Sequence, residues 1–176
     1  MKKIVLIGGI FALCLIVVLV SWNFYSSEKE QEIQLVRCID GDTARFRIQG
    51  KEEKVRFLGV DAPEMSHPGG EEASKYTCDM LEKAKRIEIE YDDNSDIYDK
   101  YDRVLGWIFV DNNNLSELLL SKGYAEVKYV YGNYKYIEEL CESQDKAYQQ
   151  RVGIWEVRYD QYDDNYCRKT FKKGEK

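Results

Sequence analysis

Hydrophobic and polar positions divide this chain into one unbroken apolar run and a series of short patterned segments. The run is Ile4 to Val20, preceded by Lys2 and Lys3 and followed by Trp22, Phe24, Tyr25 and the polar stretch SSEKEQE. As a helix its 17 residues would span roughly 26 Å, near the lower limit for crossing a bilayer, with the aromatics at the far interface. A signal-peptide core is shorter, about 7 to 15 residues, and ends in a small-x-small cleavage site. Neither Val18-Leu19-Val20 nor Phe24-Tyr25-Ser26 supplies one, and Leu13 before Cys14 is too large for a lipoprotein motif. Segment 1–27 therefore reads as a transmembrane anchor, with a cleaved signal as the alternative. Lysines at the short end hold that end inside, which places the rest of the chain outside the membrane, or secreted if the segment is removed.

Beyond a charged linker, 28–32, the pattern shortens. Gln34 to Ile39, Thr43 to Ile48 and Lys54 to Val60 read as three strands, joined by a turn at Gly41 and another over Gln49-Gly50-Lys51-Glu52. Such a meander tends to close into a barrel when further strands join it. Pro63 ends the third strand and Met65 to Gly70 is a loop. Apolar or small residues at Ala73, Tyr76, Thr77, Met80, Leu81 and Ala84 recur at helical spacing over Glu71 to Lys85. Ile87, Ile89 and Tyr91 alternate with Glu88 and Glu90, as in a half-buried strand, and Val104 to Val110 is apolar enough for a central one. Asn114 and Glu117 open a short helix over Leu115 to Lys122 that Gly123 closes. Ala125 to Tyr131 is extended and rich in tyrosine. Ile137, Leu140, Cys141, Ala147 and Tyr148 mark a last helix that Gly153 terminates. The pattern alone predicts an α+β domain over 33–156, then a charged tail, 157–176, with a basic cluster at Arg168, Lys169, Lys172 and Lys173.

A hydrophobic fraction of 44% in 176 residues is enough for one core and no second. Five cysteines show no CxxC pair and no zinc spacing. Outside the apolar run, Cys38, Cys78, Cys141 and Cys167 read best as small buried hydrophobes, with one or two disulfides permitted in an oxidising compartment. The net charge is −6, and the domain itself holds about 17 basic against about 25 acidic residues. A nucleic-acid ligand would gain less from phosphate neutralisation here than on a basic surface, and binding would depend more on metal ions. His67, the only histidine, excludes mechanisms that need a histidine pair within one chain.

The chemistry concentrates between Ile39 and Glu64, IDGDTARFRIQGKEEKVRFLGVDAPE. Arg56 interrupts the apolar strand of Val55, Phe57, Leu58 and Val60, and burying an unpaired guanidinium is expensive. Something anionic should meet it, either neighbouring carboxylates or a substrate phosphate. Taken singly, Asp40 and Asp42 are ordinary turn residues, Asp61 to Glu64 a strand exit and Arg103 a loop arginine. Taken together, IDGDT, VRFLGVDAPE and the later DKYDR resemble the staphylococcal nuclease-like (thermonuclease) family over roughly Gln34 to Trp155.

That resemblance implies a five-stranded OB-fold β-barrel with three helices, acting as a monomeric calcium-dependent phosphodiesterase on DNA and RNA. It implies little sequence specificity and 3′-phosphate products. Asp42 and Asp61 match the family's metal-binding aspartates, and the Ala62 carbonyl its third Ca2+ ligand; calcium accepts six to eight oxygens in irregular geometry. Glu64 matches the carboxylate assigned as general base. Arg56 and Arg103 match the two arginines whose planar forks grip the phosphate. Tyr101, Tyr129 and Tyr131 match positions beside the nucleotide, and Asp40 an acidic neighbour of the metal site. Three departures stand out: Ala62 where many relatives carry threonine, a shorter loop after Glu64, and Asp102 where a glycine often precedes the second arginine. A rival reading is a catalytically silent OB-fold module that binds nucleic acid or protein. A second metal-nuclease pattern, traced through Asp42, Glu52 and Lys54, fails on placing Glu52 and Lys54 in a hairpin turn.

Overall fold

The computed structural model describes residues 30–158 and Cys167. Contacts divide the chain into two units, Met1–Gln31 and Glu32–Lys176, and apart from Glu30 and Gln31 of the first strand everything that follows belongs to the second. The anchor predicted over 1–27, and the tail beyond residue 158 apart from Cys167, lie outside the described residues. Among the described residues no helix is long and apolar enough to cross a membrane.

After a short β1 (Glu30–Glu32), the chain forms the meander β2 (Gln34–Cys38), β3 (Thr43–Ile48) and β4 (Lys51–Phe57), then a two-residue β5 (Val60–Asp61). Helix α1 (Gly70–Lys83) leads to β6 (Ile87–Glu90), and β7 (Val104–Val110) and β8 (Asn113–Asn114) precede α2 (Leu115–Ser121). A short β9 (Glu126–Val127), α3 (Ile137–Gln150) and a 3-10 turn over Gly153–Glu156 complete the fold. The strands order as β6-β7-β4-β3-β2, with β8 on β7. All pairings are antiparallel except β4 with β7, which is parallel and registers Val55 on Val104 and Phe57 on Gly106. Parallel neighbours need a long crossover, and α1 with β6 supplies it.

The Ile33 amide donates to the Ile87 carbonyl at 2.9 Å beside β6, while the next residue, Gln34, pairs with Arg47 on β3. One continuous stretch thus touches both edges of the sheet and closes it, which leaves no long edge exposed. Five longer strands and three helices fit an OB-fold of α+β class. Phe46, Val55, Phe57, Ile89, Trp107 and Ile108 are fully buried inside it, with Leu81 from α1, Leu119 and Leu120 from α2 and Leu140 from α3. Each such side chain stabilises the fold by roughly 1.5–3 kcal/mol relative to exposure.

Several sequence expectations need correction. The turn between β3 and β4 occupies only Gln49 and Gly50, both at positive φ (49° and 82°), as a two-residue hairpin loop requires. Lys51 and Glu52 therefore belong to β4. The third strand does not run on to Val60: Gly59 turns it at φ 74°, where a Cβ would lie 2.7 Å from the Leu140 side chain. Val60 and Asp61 pair instead with Val127 and Glu126. The strand Ile87–Glu90 is buried on both faces, not one. Its acids are covered by partners: Glu88 by Arg86 at 2.7 Å, and Glu90 by Lys135 and the Tyr136 hydroxyl, each at 2.6 Å. Asn114 does cap α2 by accepting from the Ser116 amide, but Glu117 accepts from Ser143 on α3 at 3.2 Å and closes no capping box.

The four cysteines among the described residues are not free thiols. Cys38 at the end of β2 is bonded to Cys78 on α1, and Cys141 on α3 to Cys167. Sequence could not show this, because the partners are 40 and 26 residues apart and meet only through packing. The second bond ties the charged tail to the domain.

Candidate active site

Asp42 stands where the DGD turn enters β3. Its amide donates to Asp40 Oδ1 at 3.1 Å, and the Ile39 and Asp40 amides both donate to the Thr43 carbonyl. Gly41 presses the turn against its neighbours, since a Cβ there would lie 2.6 Å from the Ala62 Cβ and 2.9 Å from the Ala73 Cβ. Thr77 on α1 donates to the Gly41 carbonyl at 2.6 Å, and the Cys38–Cys78 bond lies one residue from it on the helix. The turn is therefore held by α1 as well as by the sheet.

β3 registers Thr43 opposite Arg56, which delivers the arginine to the acids. Arg56 Nη2 lies 3.1 Å from Asp42 Oδ2 and 2.9 Å from Asp61 Oδ1. Nη1 donates to the Val60 and Phe57 carbonyls at 2.7 and 3.2 Å. The anion that a strand-borne guanidinium demands is thus a pair of carboxylates sharing one nitrogen. Asp42 Oδ2 also accepts from the Ala62 amide at 2.7 Å, and Oδ1 from the Thr43 hydroxyl at 2.9 Å. Burial pushes the Asp42 carboxyl up to about 6, against Arg56 and the Ala62 amide, which pull it down. A buried carboxylate that remains hard to ionise beside one arginine suits a further cation, and two carboxylates with the adjacent Ala62 carbonyl are an all-oxygen donor set of the kind calcium takes.

Arg103 approaches from the loop before β7. Asp99 accepts from its backbone amide at 2.9 Å and from Nε at 2.6 Å, so the terminal fork remains for another ligand. Asp102 adopts φ 58°, a left-handed conformation that glycine takes without strain and aspartate tolerates. Burial alone would raise Asp99, but hydrogen bonds from Arg103 and Tyr101 outweigh it and hold the carboxyl below its ordinary range.

A cleft of about 1010 Å³ gathers Asp40, Asp42, Arg56, Asp61, Glu64, Tyr101, Arg103, Tyr129 and Tyr131 along its walls. Glu64 is exposed there, just past Pro63. Tyr101 packs under Arg103, whose guanidinium carbon lies 5.5 Å from the ring centroid, and Tyr129 under Arg56 at 5.6 Å. Tyr131 is 6.5 Å from Tyr129, ring to ring, and is 81% exposed. Ala62 sits behind the wall, through its bond to Asp42. Glu52 lies far down the hairpin, opposite Arg47 and bonded to it at 3.0 Å, so the Asp42, Glu52 and Lys54 pattern forms no cluster. His67 is an exposed loop residue. Cys38, Cys78 and Glu82 approach one another within ligand distance, but a disulfide offers no thiolate to a metal.

Residues 54–157, more than half of the chain, match the family described as staphylococcal nuclease homologue. The chain belongs to the staphylococcal nuclease-like family. It is 36% identical over 137 residues to endonuclease YncB of Bacillus subtilis (strain 168), an overlap covering 74% of this chain and 64% of that protein. To the SPbeta prophage-derived endonuclease YokF of the same strain it is 35% identical over 131 residues, covering 70% of this chain and 44% of the other. With the thermonuclease of Staphylococcus hyicus the figures are 34% over 136 residues, 74% and 79%. The chain spans less than two thirds of the length of both Bacillus relatives.

Two residues of this nuclease-like site escaped sequence reasoning. Asp99 is the first residue of the DKYDR motif, and its spacing of four from Arg103 was an available signal for a charge pair. Lys128 had none. It ion-pairs with Asp61 Oδ2 at 3.1 Å and Glu126 Oε1 at 3.0 Å, a contact created by the pairing of β5 with β9.

Proposed function

We propose that this protein is a calcium-dependent nuclease that hydrolyses phosphodiester bonds of DNA and RNA with little sequence preference and leaves 3′-phosphate ends. The observation that carries the reading is the convergence of Asp42, Asp61, Glu64, Arg56 and Arg103 on one cleft, from four separate stretches of chain. Asp42, Asp61 and the Ala62 carbonyl would hold the ion, which when bound supplies positive charge to a phosphoryl oxygen. Arg103, anchored through Nε, offers its fork to the phosphate as charge grows on the phosphoryl oxygens. Arg56 balances the two aspartates and lends its charge to the same region. Glu64 accepts the proton of the attacking water as the bond to the 5′ oxygen breaks. Tyr101, Tyr129 and Tyr131 present exposed rings on which unpaired bases stack, which offsets an acidic cleft and favours single-stranded or locally opened substrate. Asp40 steadies Asp42 through its amide.

The test is cleavage of denatured DNA and of RNA by the full-length protein, with calcium and with chelator. Activity should appear only with calcium, and Glu64→Gln or Arg103→Ala should abolish it while circular dichroism stays unchanged. No cleavage by folded protein would replace this reading with a non-catalytic OB-fold module, and calcium-independent cleavage would overturn the metal assignment. The apolar run preceded by Lys2 and Lys3 supports an enzyme anchored in the membrane with its domain outside, or secreted; fractionating cells and sizing the N-terminus decides between them.

A further inference from the structure

Asp61 is bracketed by two cations. Arg56 Nη2 takes Oδ1 at 2.9 Å, and Lys128 Nζ takes Oδ2 at 3.1 Å. Both oxygens of one candidate metal ligand are therefore engaged by the protein's own charges. Lys128 is built into this place rather than merely near it. Its amide donates to the Gly59 carbonyl at 3.1 Å, the preceding Val127 amide donates to the buried Gln144 side chain at 2.6 Å, and Asp61 lies opposite Glu126 in the β5–β9 ladder. Lys128 directly follows β9, two residues beyond Glu126, and reaches Asp61 diagonally across the β5–β9 pair. It has a second resting place on Glu126 at 3.0 Å. The Tyr129 ring lies 5.8 Å from Nζ and 5.6 Å from the Arg56 guanidinium carbon, touching both cations of Asp61.

We propose that Lys128 is a positioning residue that acts as a resident counter-ion, which a divalent cation must displace from Asp61, and that it thereby sets the calcium affinity of the site. The inference rests on the nuclease reading's assignment of Asp61 as a metal ligand. Physically it follows from like charge: an ammonium on the ligand's own oxygen opposes a second cation there until it swings to Glu126. Its side chain is 38% exposed, so solvent admits that movement. The released ammonium then stands beside Tyr129 at the cleft, where it can meet an anionic substrate. Metal and nucleic acid should accordingly favour each other's binding.

The test is calorimetric titration of the full-length protein with calcium chloride, without nucleic acid. Lys128→Met should tighten calcium binding about 3- to 10-fold at low salt, and the gain should shrink as ionic strength rises. Lys128→Arg, which restores the charge, should return to the original affinity. Lys128→Gln repeats the measurement should the methionine variant fold poorly. Lys100→Met removes a cation lining the same cleft, one that rests 5.0 Å over the Tyr101 ring, and should change affinity less. Unchanged or weaker calcium binding in both neutral Lys128 variants, or an equal gain in Lys100→Met, overturns the role of Lys128 while leaving the metal site standing. No calcium binding by the unmutated protein overturns the metal assignment and this inference together.

Discussion

Asp42 and Arg56 meet across the β3–β4 hairpin with Oδ2 3.1 Å from Nη2, and each side chain is under a tenth exposed. Neither is tolerable alone at that depth, so each fixes the other before any ligand arrives. Removing the arginine leaves Asp42 and Asp61 without their shared partner, and an uncompensated buried charge costs about 3–5 kcal/mol. Arg56→Met should lower the unfolding free energy read from urea titration in chelator by that much. Calcium should restore part of the loss, because it replaces the missing positive charge. Equal midpoints for the variant and the original protein in chelator would show that the pair does not stabilise the fold.

Gly41 is a packing requirement of the same site. A methyl at this position would overlap the Ala62 and Ala73 methyls, and neither the β5 exit nor α1 can retreat freely. Gly41→Ala should destabilise the domain by about 1–3 kcal/mol and weaken calcium binding, since Ala62 carries the candidate carbonyl ligand. Unaltered thermal unfolding and calcium titration in this variant would refute the tight approach.

Asp99 holds Arg103 at two points. Asp99→Asn retains the shape and removes the charge, so cleavage should fall about 10- to 100-fold through misplacement of the guanidinium. The sign of the accompanying pH effect follows from its carboxyl lying below the ordinary range. Its stabilising contribution is complete above the unfolded value of about 4 and is lost as pH falls through the lower folded value. Unfolding midpoints between pH 5 and 2 should therefore drop more steeply for the original protein than for Asp99→Asn, and parallel curves would exclude the linkage.

Elsewhere in the domain, buried Glu90 is held by Lys135 and the Tyr136 hydroxyl. Burial, with the Glu90 hydrogen bond, pushes the Tyr136 hydroxyl up to about 12. The contribution is thus fully present below the unfolded value of about 10 and disappears as pH rises through about 12. Lys135, raised by the same glutamate against the opposing effect of burial, has the same sign. Thermal midpoints should decline between pH 10 and 12, and Tyr136→Phe should flatten that decline. A variant curve as steep as the original would count against it.

Legibility varied with the range of the interaction. The strands of the meander, the three helices and the Asn114 cap could be read from periodicity and local residue chemistry, because those preferences act within a few residues. The burial of Glu90 could not, since its partners Lys135 and Tyr136 lie far along the chain and override the alternating pattern. Gly59 was hidden inside an apolar run, and only its contact with Leu140 on α3 explains the turn there.

The sequence by itself determined which groups could do chemistry here. It also required that Arg56 meet an anion, because a guanidinium in an apolar strand has no other outcome. Only the tertiary structure decided that this anion is two carboxylates on one nitrogen, that Cys38 joins Cys78 and Cys141 joins Cys167, and that Lys128 closes the far side of Asp61. Those choices depend on strand register, barrel closure and helix packing. They bring together residues separated by tens of positions, and no local preference along the chain encodes such distances.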